Sequence, residues 1–85
     1  MLKADGFDSA IIGTVERADM GRVLLYDTHK CIEILMSEHG LTQESATEHF
    51  YFNVAGAYVG NETPCYALMQ SREELHELEE LHELD

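Results

Sequence analysis

The sequence has few basic residues, two cysteines, a single proline and no tryptophan. Its 85 residues include 5 lysines and arginines against 17 aspartates and glutamates, which gives a formal net charge of −12. A surface this negative repels phosphate backbones and anionic membranes, and it speeds encounters with basic protein surfaces. We therefore expect no direct binding of nucleic acid and none of a membrane.

The scarcity of cysteine limits covalent cross-linking. Cys31 and Cys65 can form one disulfide at most, and the sequence shows neither a secretory signal nor an apolar run of membrane length. We expect both thiols to be reduced, small apolar side chains of an intracellular protein.

The chain length allows one domain with a single modest core. A hydrophobic content of 45% is ordinary for a folded protein, so the acidity does not indicate a disordered chain. The sequence predicts a small α+β domain in the order strand, strand, helix, helix, strand, helix. Residues 1–70 are expected to form the compact core, and residues 71–85 an acidic C-terminal helix packed on that core or on a second copy.

Short β-branched and apolar runs predict the strands. SAIIGTVER and RVLLYD are joined by ADMG, which is typical of a tight connection, so the two runs predict a β-hairpin. Pro64 precedes CYALM, a short strand that we expect beside the hairpin.

Two helices are predicted to meet at a sharp corner. Asp27 caps a first helix over THKCIEILMSEH that ends at Gly40, and Thr42 caps a second one that begins QESATEHFYFNVAGAYV. The apolar residues of the second helix fall on two sides, one carrying Ala46, Phe50, Val54 and Ala57 and the other Tyr51, Ala55 and Tyr58. We therefore expect this helix to be central and buried on both sides.

The C-terminal stretch SREELHELEELHELD predicts a capped helix, because Ser71 and Glu74 match the capping box. Its leucines recur every third residue and cover about half the helix circumference, which is wider than a coiled-coil seam. We expect them to pack against this chain or to form an oligomer interface with a copy. These residues are Leu75, Leu78, Leu81 and Leu84.

The corner EHGLTQESAT resembles that of helix-turn-helix repressors, in which a Gly-Leu-Thr-Gln-Glu stretch opens the second helix. A recognition helix presents basic and amide side chains to the major groove, whereas this chain continues EHFYFNVAGAYVG without a basic stripe. The pattern favours a capped corner over a DNA reader.

Metal and catalytic chemistry have weak support. The tail offers candidate ligands in His76, Glu79, Glu80, His82 and Glu83, but its two histidines fall on different sides of a helix and do not match HExxH. Carboxylates near the hairpin can converge on a cation or act as a pair, although such residues more often form turns and caps. These are Asp5, Asp8 and Asp27. We expect no enzyme activity, no catalytic residue, no cofactor and no metal site.

Three stretches carry a resemblance to known proteins. ADGFDSAIIG, VLLYDTHKCIEILM, and the segment from GLTQESATEHF to FNVAGAYVGNETP lie within residues 4–64. Together they resemble short acidic proteins encoded by tailed bacteriophages, a group with no assigned activity. The resemblance implies the cytoplasm of an infected bacterial host, where small early proteins often bind and disable a host machine. Residues 71–85 lie outside it.

Two hypotheses about function follow. The first is a phage-encoded, non-enzymatic inhibitor or modulator whose acidic and DNA-mimicking surface docks on a basic bacterial protein involved in defence or nucleic-acid handling. The expected contact acids are Glu73, Glu74, Glu77, Glu79, Glu80 and Glu83 in the tail, with Glu33, Glu38, Glu44 and Glu48 on the helix pair. The alternative is a small homodimer or higher homo-oligomer, or a virion accessory protein, in which the tail leucines and the central helix bury against a copy.

Overall fold

The computed structural model describes residues 1–77, which form an α+β domain with a three-stranded mixed sheet. After a 3₁₀ turn at Asp8–Ala10, the elements are β1 (Ile11–Arg17), β2 (Gly21–Asp27), α1 (Thr28–His39), α2 (Gln43–His49), a π-helical segment (Phe50–Ala55), β3 (Cys65–Ala67) and α3 (Arg72–Glu77). The predicted α+β class is confirmed. No helix within these residues has the length and apolarity needed to cross a membrane.

Strand β2 lies at the centre of the sheet. It pairs antiparallel with β1 through a tight turn in which Asp19 has φ 62° and Gly21 has φ 77°, the left-handed region that short hairpin loops use. On its other side β2 pairs in parallel with β3, where Tyr26 is opposite Tyr66. The predicted hairpin is therefore present, and the third strand lies beside it.

The caps of α1 and α2 explain the sharp corner between the helices. The Asp27 carboxylate accepts the backbone N–H of His29 at 3.0 Å, which satisfies a donor that the first turn leaves free. Gly40 ends α1 with φ 64°, and the Thr42 hydroxyl accepts the N–H of Ser45 at 3.2 Å to open α2. These predicted caps are confirmed.

The core lies between β2, α1 and the continuous α2 and π-helical stretch. Tyr26 and Phe50 are its largest fully buried side chains, and the partly buried Tyr66 packs against them. The Tyr66 ring stacks on Tyr26 at 5.4 Å between centroids and meets Phe50 edge-on at 5.2 Å, an arrangement that stabilises beyond the area buried. The buried hydrophobic residues are Phe7, Ala10, Val23, Tyr26, Cys31, Leu35, Ala46 and Phe50.

The prediction of a second helix buried on two sides is wrong. Regular α-helix ends at His49, and the wider π turns of residues 50–55 change the angular spacing on which that prediction relied. The helical path then ends at Gly56, so Tyr58 is not part of it. As a result Tyr51 is 48% exposed and Tyr58 is 76% exposed.

Helix α3 begins with the predicted capping box. The backbone N–H of Ser71 donates to the Glu74 carboxylate at 3.0 Å, and the N–H of Glu74 donates to the Ser71 hydroxyl at 3.1 Å. The structure describes this helix as far as Glu77. The prediction that it runs through residues 71–85 therefore falls partly on residues 78–85, which lie outside the described part of the chain.

The capping box gives α3 a pH dependence. Hydrogen bonds from the backbone and the hydroxyl of Ser71 hold the pKa of Glu74 below its ordinary value. A lowered folded pKa means that this stabilisation is present above the unfolded pKa and is lost as pH falls through the folded pKa. We expect the helical content of residues 72–77, followed by Cα chemical shifts, to fall on acidification to about pH 3. Glu74→Gln removes the titrating carboxylate and should remove that transition, and an unchanged transition in the variant would contradict the assignment.

Both cysteines are free thiols, as expected for a reduced protein, and Cys31 is fully buried. Burial, followed by the nearby negative charge of Asp27, raises the pKa of the Cys31 thiol to about 11. Because the thiolate is the reactive form, the folded protein should protect this group.

We expect Cys31 to react with a thiol reagent only when the protein unfolds. In a Cys65→Ser variant at about pH 8, labelling by Ellman's reagent should be slow in buffer and fast in urea. If labelling in buffer is as fast as in urea, the Cys31 thiol is accessible in the folded protein and the described burial is wrong.

Candidate protein-binding site

A negatively charged face lies along α2 and the π-helical segment. Glu44 and Glu48 are one helical turn apart, and Glu48 borders a shallow depression with His49, Phe52 and Asn53. The Phe52 side chain is 82% exposed, which is unusual for so large an apolar group. We call these five residues the acidic aromatic face.

A second depression continues this face toward α1. Glu38, at the end of α1, and Asp5 line it together with His49 and Asn53, which also border the first depression. The Asn53 amide nitrogen lies 3.4 Å from the Nδ1 atom of His49, so these two side chains are held side by side. The structure thus brings three of the four predicted helix-pair acids, Glu38, Glu44 and Glu48, to one region.

The fourth predicted acid of the helix pair is separate. Glu33 lies 140° around α1 from Glu38, the angle that a five-residue helical separation gives, and its carboxylate is 3.7 Å from the Lys30 ammonium. An exposed pair of this kind contributes little to stability, but it neutralises Glu33 locally.

The tail acids are placed differently again. Glu73, Glu74 and Glu77 lie on α3, and His29, in the first turn of α1, contributes to the lowered pKa of Glu74. These three acids therefore lie on a different element from Glu38, Glu44 and Glu48. The predicted contact residues Glu79, Glu80 and Glu83 lie outside the described residues.

The predicted leucine interface is described at one position. Leu75, on α3, is half-buried. Leu78, Leu81 and Leu84 lie beyond residue 77, so an oligomer interface built from all four leucines stays a prediction.

An apolar groove adjoins the second depression. Its volume is about 530 Å³, within the range of pockets that bind small molecules or side chains. The N-terminal segment forms one wall, and the π-helical segment with the chain leading into β3 forms the other. The lining residues are Leu2, Lys3, Ala4, Asp5, Phe7, Asn53, Val54, Ala57, Val59, Pro64 and Tyr66.

The N-terminal wall of this groove is fastened to the core. The backbone N–H of Ala4 donates to the buried Tyr26 hydroxyl at 2.8 Å, which also satisfies that hydroxyl. The N-terminal ammonium of Met1 lies 3.3 Å from the Glu62 carboxylate. The Tyr26 hydroxyl and the Glu62 carboxylate together hold the N-terminal segment in position.

Tyr66 forms the floor of the groove and is held neutral. Burial, with smaller contributions from Cys31, Tyr26 and Cys65, raises the pKa of its phenol to about 12. Because the ring also stacks on Tyr26, the floor is part of the core and does not swing freely.

The carboxylates considered near the hairpin do not converge. Asp27 caps α1, Asp8 pairs with the Lys3 ammonium at 3.0 Å, and Asp5 lines the groove. Within residues 1–77 no three histidine, cysteine, aspartate or glutamate side chains are arranged to hold a metal ion. Of the tail ligands considered above, His76 is an exposed residue of α3, and the other four lie outside the described residues.

The apolar groove and the π-helical segment were not predicted from the sequence. The groove depends on contacts between residues near the N terminus and residues 53–66, which single-sequence periodicity does not report. The run FYFNVA followed by Gly56 is compatible with an ordinary helix end, so it carries no distinct signal for π geometry.

Comparison of the chain with protein-family models, with curated proteins and with solved structures finds no match. The site is therefore interpreted from its own geometry and charge.

Proposed function

We propose that this protein is a non-enzymatic binding protein that docks the acidic aromatic face on a basic surface of another protein. The observation that carries the proposal is the position of Phe52, 82% exposed beside the Glu48 carboxylate. An exposed aromatic side chain surrounded by charge is the usual composition of an interface anchor with its polar rim.

The charge of the helix pair supports a basic partner. Residues 43–55 contain Glu44 and Glu48 but no lysine or arginine, and Glu38 extends the same negative region. Complementary charge of this kind raises association rates and discriminates against acidic partners, and salt weakens it.

The biological setting of the proposal comes from the phage resemblance. We propose a phage-encoded inhibitor or modulator that acts in the cytoplasm of an infected bacterium on a host protein for defence or nucleic-acid handling. Carboxylates spaced along a helix can bind the basic surface of such a host protein in place of the phosphates of DNA. DNA mimicry is therefore the proposed mechanism. The proposal keeps the strand and helix order predicted from the sequence, in which residues 71–85 are an acidic C-terminal helix packed on the core or on a second copy.

The first experiment is capture of the partner. Immobilised protein is exposed to nuclease-treated bacterial lysate, and bound proteins are eluted with duplex DNA and identified by mass spectrometry. A stoichiometric nucleic-acid-binding protein that DNA releases supports mimicry. Elution by salt but not by DNA supports protein binding without mimicry. Retention of nothing specific in lysate from several bacterial hosts contradicts the proposal.

The captured partner allows a charge-matched test of the face. We expect Glu44→Gln combined with Glu48→Gln to weaken binding by at least about tenfold at low salt, because both changes remove charge from the proposed contact. Surface plasmon resonance measures this change. The control is Glu16→Gln combined with Glu33→Gln, which removes the same charge from carboxylates already paired with Arg22 and Lys30. If the two double variants lose the same affinity for the partner, binding depends on the net charge of the protein and not on the acidic aromatic face.

A second candidate function is self-association, and the exposed aromatic rings favour it. Tyr58 and Phe52 are 76% and 82% exposed, and a second copy is one partner that can cover them. Sedimentation velocity over a range of concentrations decides this point. A stable dimer that Phe52→Ser dissociates favours the homo-oligomer, while a monomer at all concentrations removes this candidate.

A further inference from the structure

The apolar groove and the second acidic depression form one continuous surface. Four residues line both of them, so a ligand in the groove lies directly beside the depression. Asp5 and Asn53 contribute polar atoms at this boundary, and Phe7 and Val54 contribute apolar ones.

The interior of the groove suits an apolar side chain. Val54, Val59, Pro64 and Tyr66 present carbon surface to a space of about 530 Å³, and the burial of an apolar group there removes it from water. Because Tyr66 and the Ala4 backbone are fastened to the core through Tyr26, the cavity is formed before a ligand arrives.

The charges beside the groove select a basic ligand. Lys3, the basic residue of the lining, is paired with Asp8 at 3.0 Å. Asp5 and Glu38 form no salt bridge with any residue among 1–77. A lysine or arginine that enters the depression therefore meets two carboxylates that no salt bridge within residues 1–77 neutralises, beside the imidazoles of His39 and His49.

We propose that the groove binds a partner peptide in which bulky apolar residues adjoin lysine or arginine. The apolar side chains fill the groove, and the flanking cation lies against Asp5 and Glu38. This inference rests on the proposed function, since it names the chemistry of the segment by which a basic protein partner is recognised.

Short synthetic peptides test this chemistry directly. The probe is acetyl-Lys-Phe-Leu-Arg-amide, compared with acetyl-Lys-Ser-Ser-Arg-amide, which keeps the charge, and acetyl-Glu-Phe-Leu-Glu-amide, which keeps the apolar pair. Binding is followed by two-dimensional NMR of the isotope-labelled 85-residue protein. We expect the first peptide to shift the amide signals of Val54, Ala57, Val59 and Tyr66 and to bind at least about tenfold more tightly than either control.

The pattern of shifts separates this inference from the proposed function. If both basic peptides shift only Glu38 and Glu48, the acidic surface binds cations but the groove inference is overturned. If no peptide shifts either region, both fail. Equal binding of the acidic apolar peptide would indicate an apolar site without basic preference and would also overturn the inference. Shifts of the groove signals with protein concentration, and none with peptide, would assign the groove to a second copy.

A matched pair of tryptophan variants locates the binding. Ala57→Trp places an indole at the exposed edge of the groove, and we expect it to abolish the effect of acetyl-Lys-Phe-Leu-Arg-amide. Ala18→Trp makes the same change in the hairpin turn, away from the groove lining, and should leave the titration unchanged. Loss of binding in both variants, or in neither, would overturn the assignment to this groove.

Discussion

Phe50→Ala is expected to lower the free energy of unfolding by about 3–5 kcal/mol, the range found for removal of a buried aromatic ring. Phe50 is fully buried and meets Tyr66 edge-on at 5.2 Å, so its loss leaves a cavity where the π-helical segment, β3 and α1 come together. A domain of this size has a total stability of roughly 5–15 kcal/mol, so the variant should be partly unfolded well below the melting temperature of the parent.

Urea denaturation followed by circular dichroism measures this loss. The matched control is Phe52→Ala, the same substitution two residues on, at a side chain that is 82% exposed. We expect the control to change the unfolding midpoint little, because there is no packed environment to disrupt. If both variants lose the same stability, Phe52 is covered in solution and the description of the acidic aromatic face fails.

Gly56→Ala is expected to destabilise the protein by about 1–3 kcal/mol, the range found when an added methyl group forces the backbone to shift. A Cβ atom at this position would lie 2.7 Å from the carbonyl oxygen of Tyr51 and 3.1 Å from that of Phe52. Both are backbone atoms of the π-helical segment, so relief requires that segment to move. The φ of Gly56 is −78°, which any residue adopts, so the requirement for glycine is one of space.

The measurement for Gly56→Ala combines urea denaturation with amide NMR of residues 50–55. We expect lower stability together with shifted signals for this segment, because the wide turns must rearrange to admit the methyl group. Ala57→Ser adds one heavy atom at the next, exposed position and serves as the control. Parent-like stability and unmoved signals in Gly56→Ala would show that the π geometry is not present in solution.

The local elements were predictable because their signals are contained in neighbouring residues. Asp27, Gly40 and Thr42 determine the ends of α1 and α2 through hydrogen bonds and a left-handed turn that span a few positions. Ser71 and Glu74 do the same for α3. Capping interactions between residues a few positions apart can therefore be predicted from the sequence alone.

The second helix was mispredicted because periodicity assumes a constant turn. The apolar spacing of Phe50, Tyr51 and Val54 fits an α-helix, but the π geometry over 50–55 leaves Tyr51 outside the core. Phe50 also packs edge-on against Tyr66, a contact between residues distant along the chain that helix propensity does not report.

The candidate site was predicted in part. Glutamate positions on exposed helix surfaces follow from the sequence, and Glu44 and Glu48 share a face as expected. The separation of Glu33 from Glu38 also follows from helix geometry. The prediction nevertheless placed both in one patch, because they are close in sequence. The groove beside Asp5 was not predictable, because its two walls come from residues 2–7 and residues 53–66, which are distant along the chain and meet only through the fold.

The mixed pairing of β2 has a consequence for the order in which the molecule opens. β1 reaches β2 through a short turn, whereas β3 joins it with Leu25 opposite Cys65, at a much greater separation along the chain. The greater loop-closure entropy and the three-residue length of β3 make it the element that detaches most readily. We therefore expect hydrogen exchange to be faster in β3 than in β2. Each such excursion removes Tyr66 from the groove floor while the hairpin stays intact, so local unfolding of this strand dismantles the groove, and a ligand bound there should slow hydrogen exchange in β3.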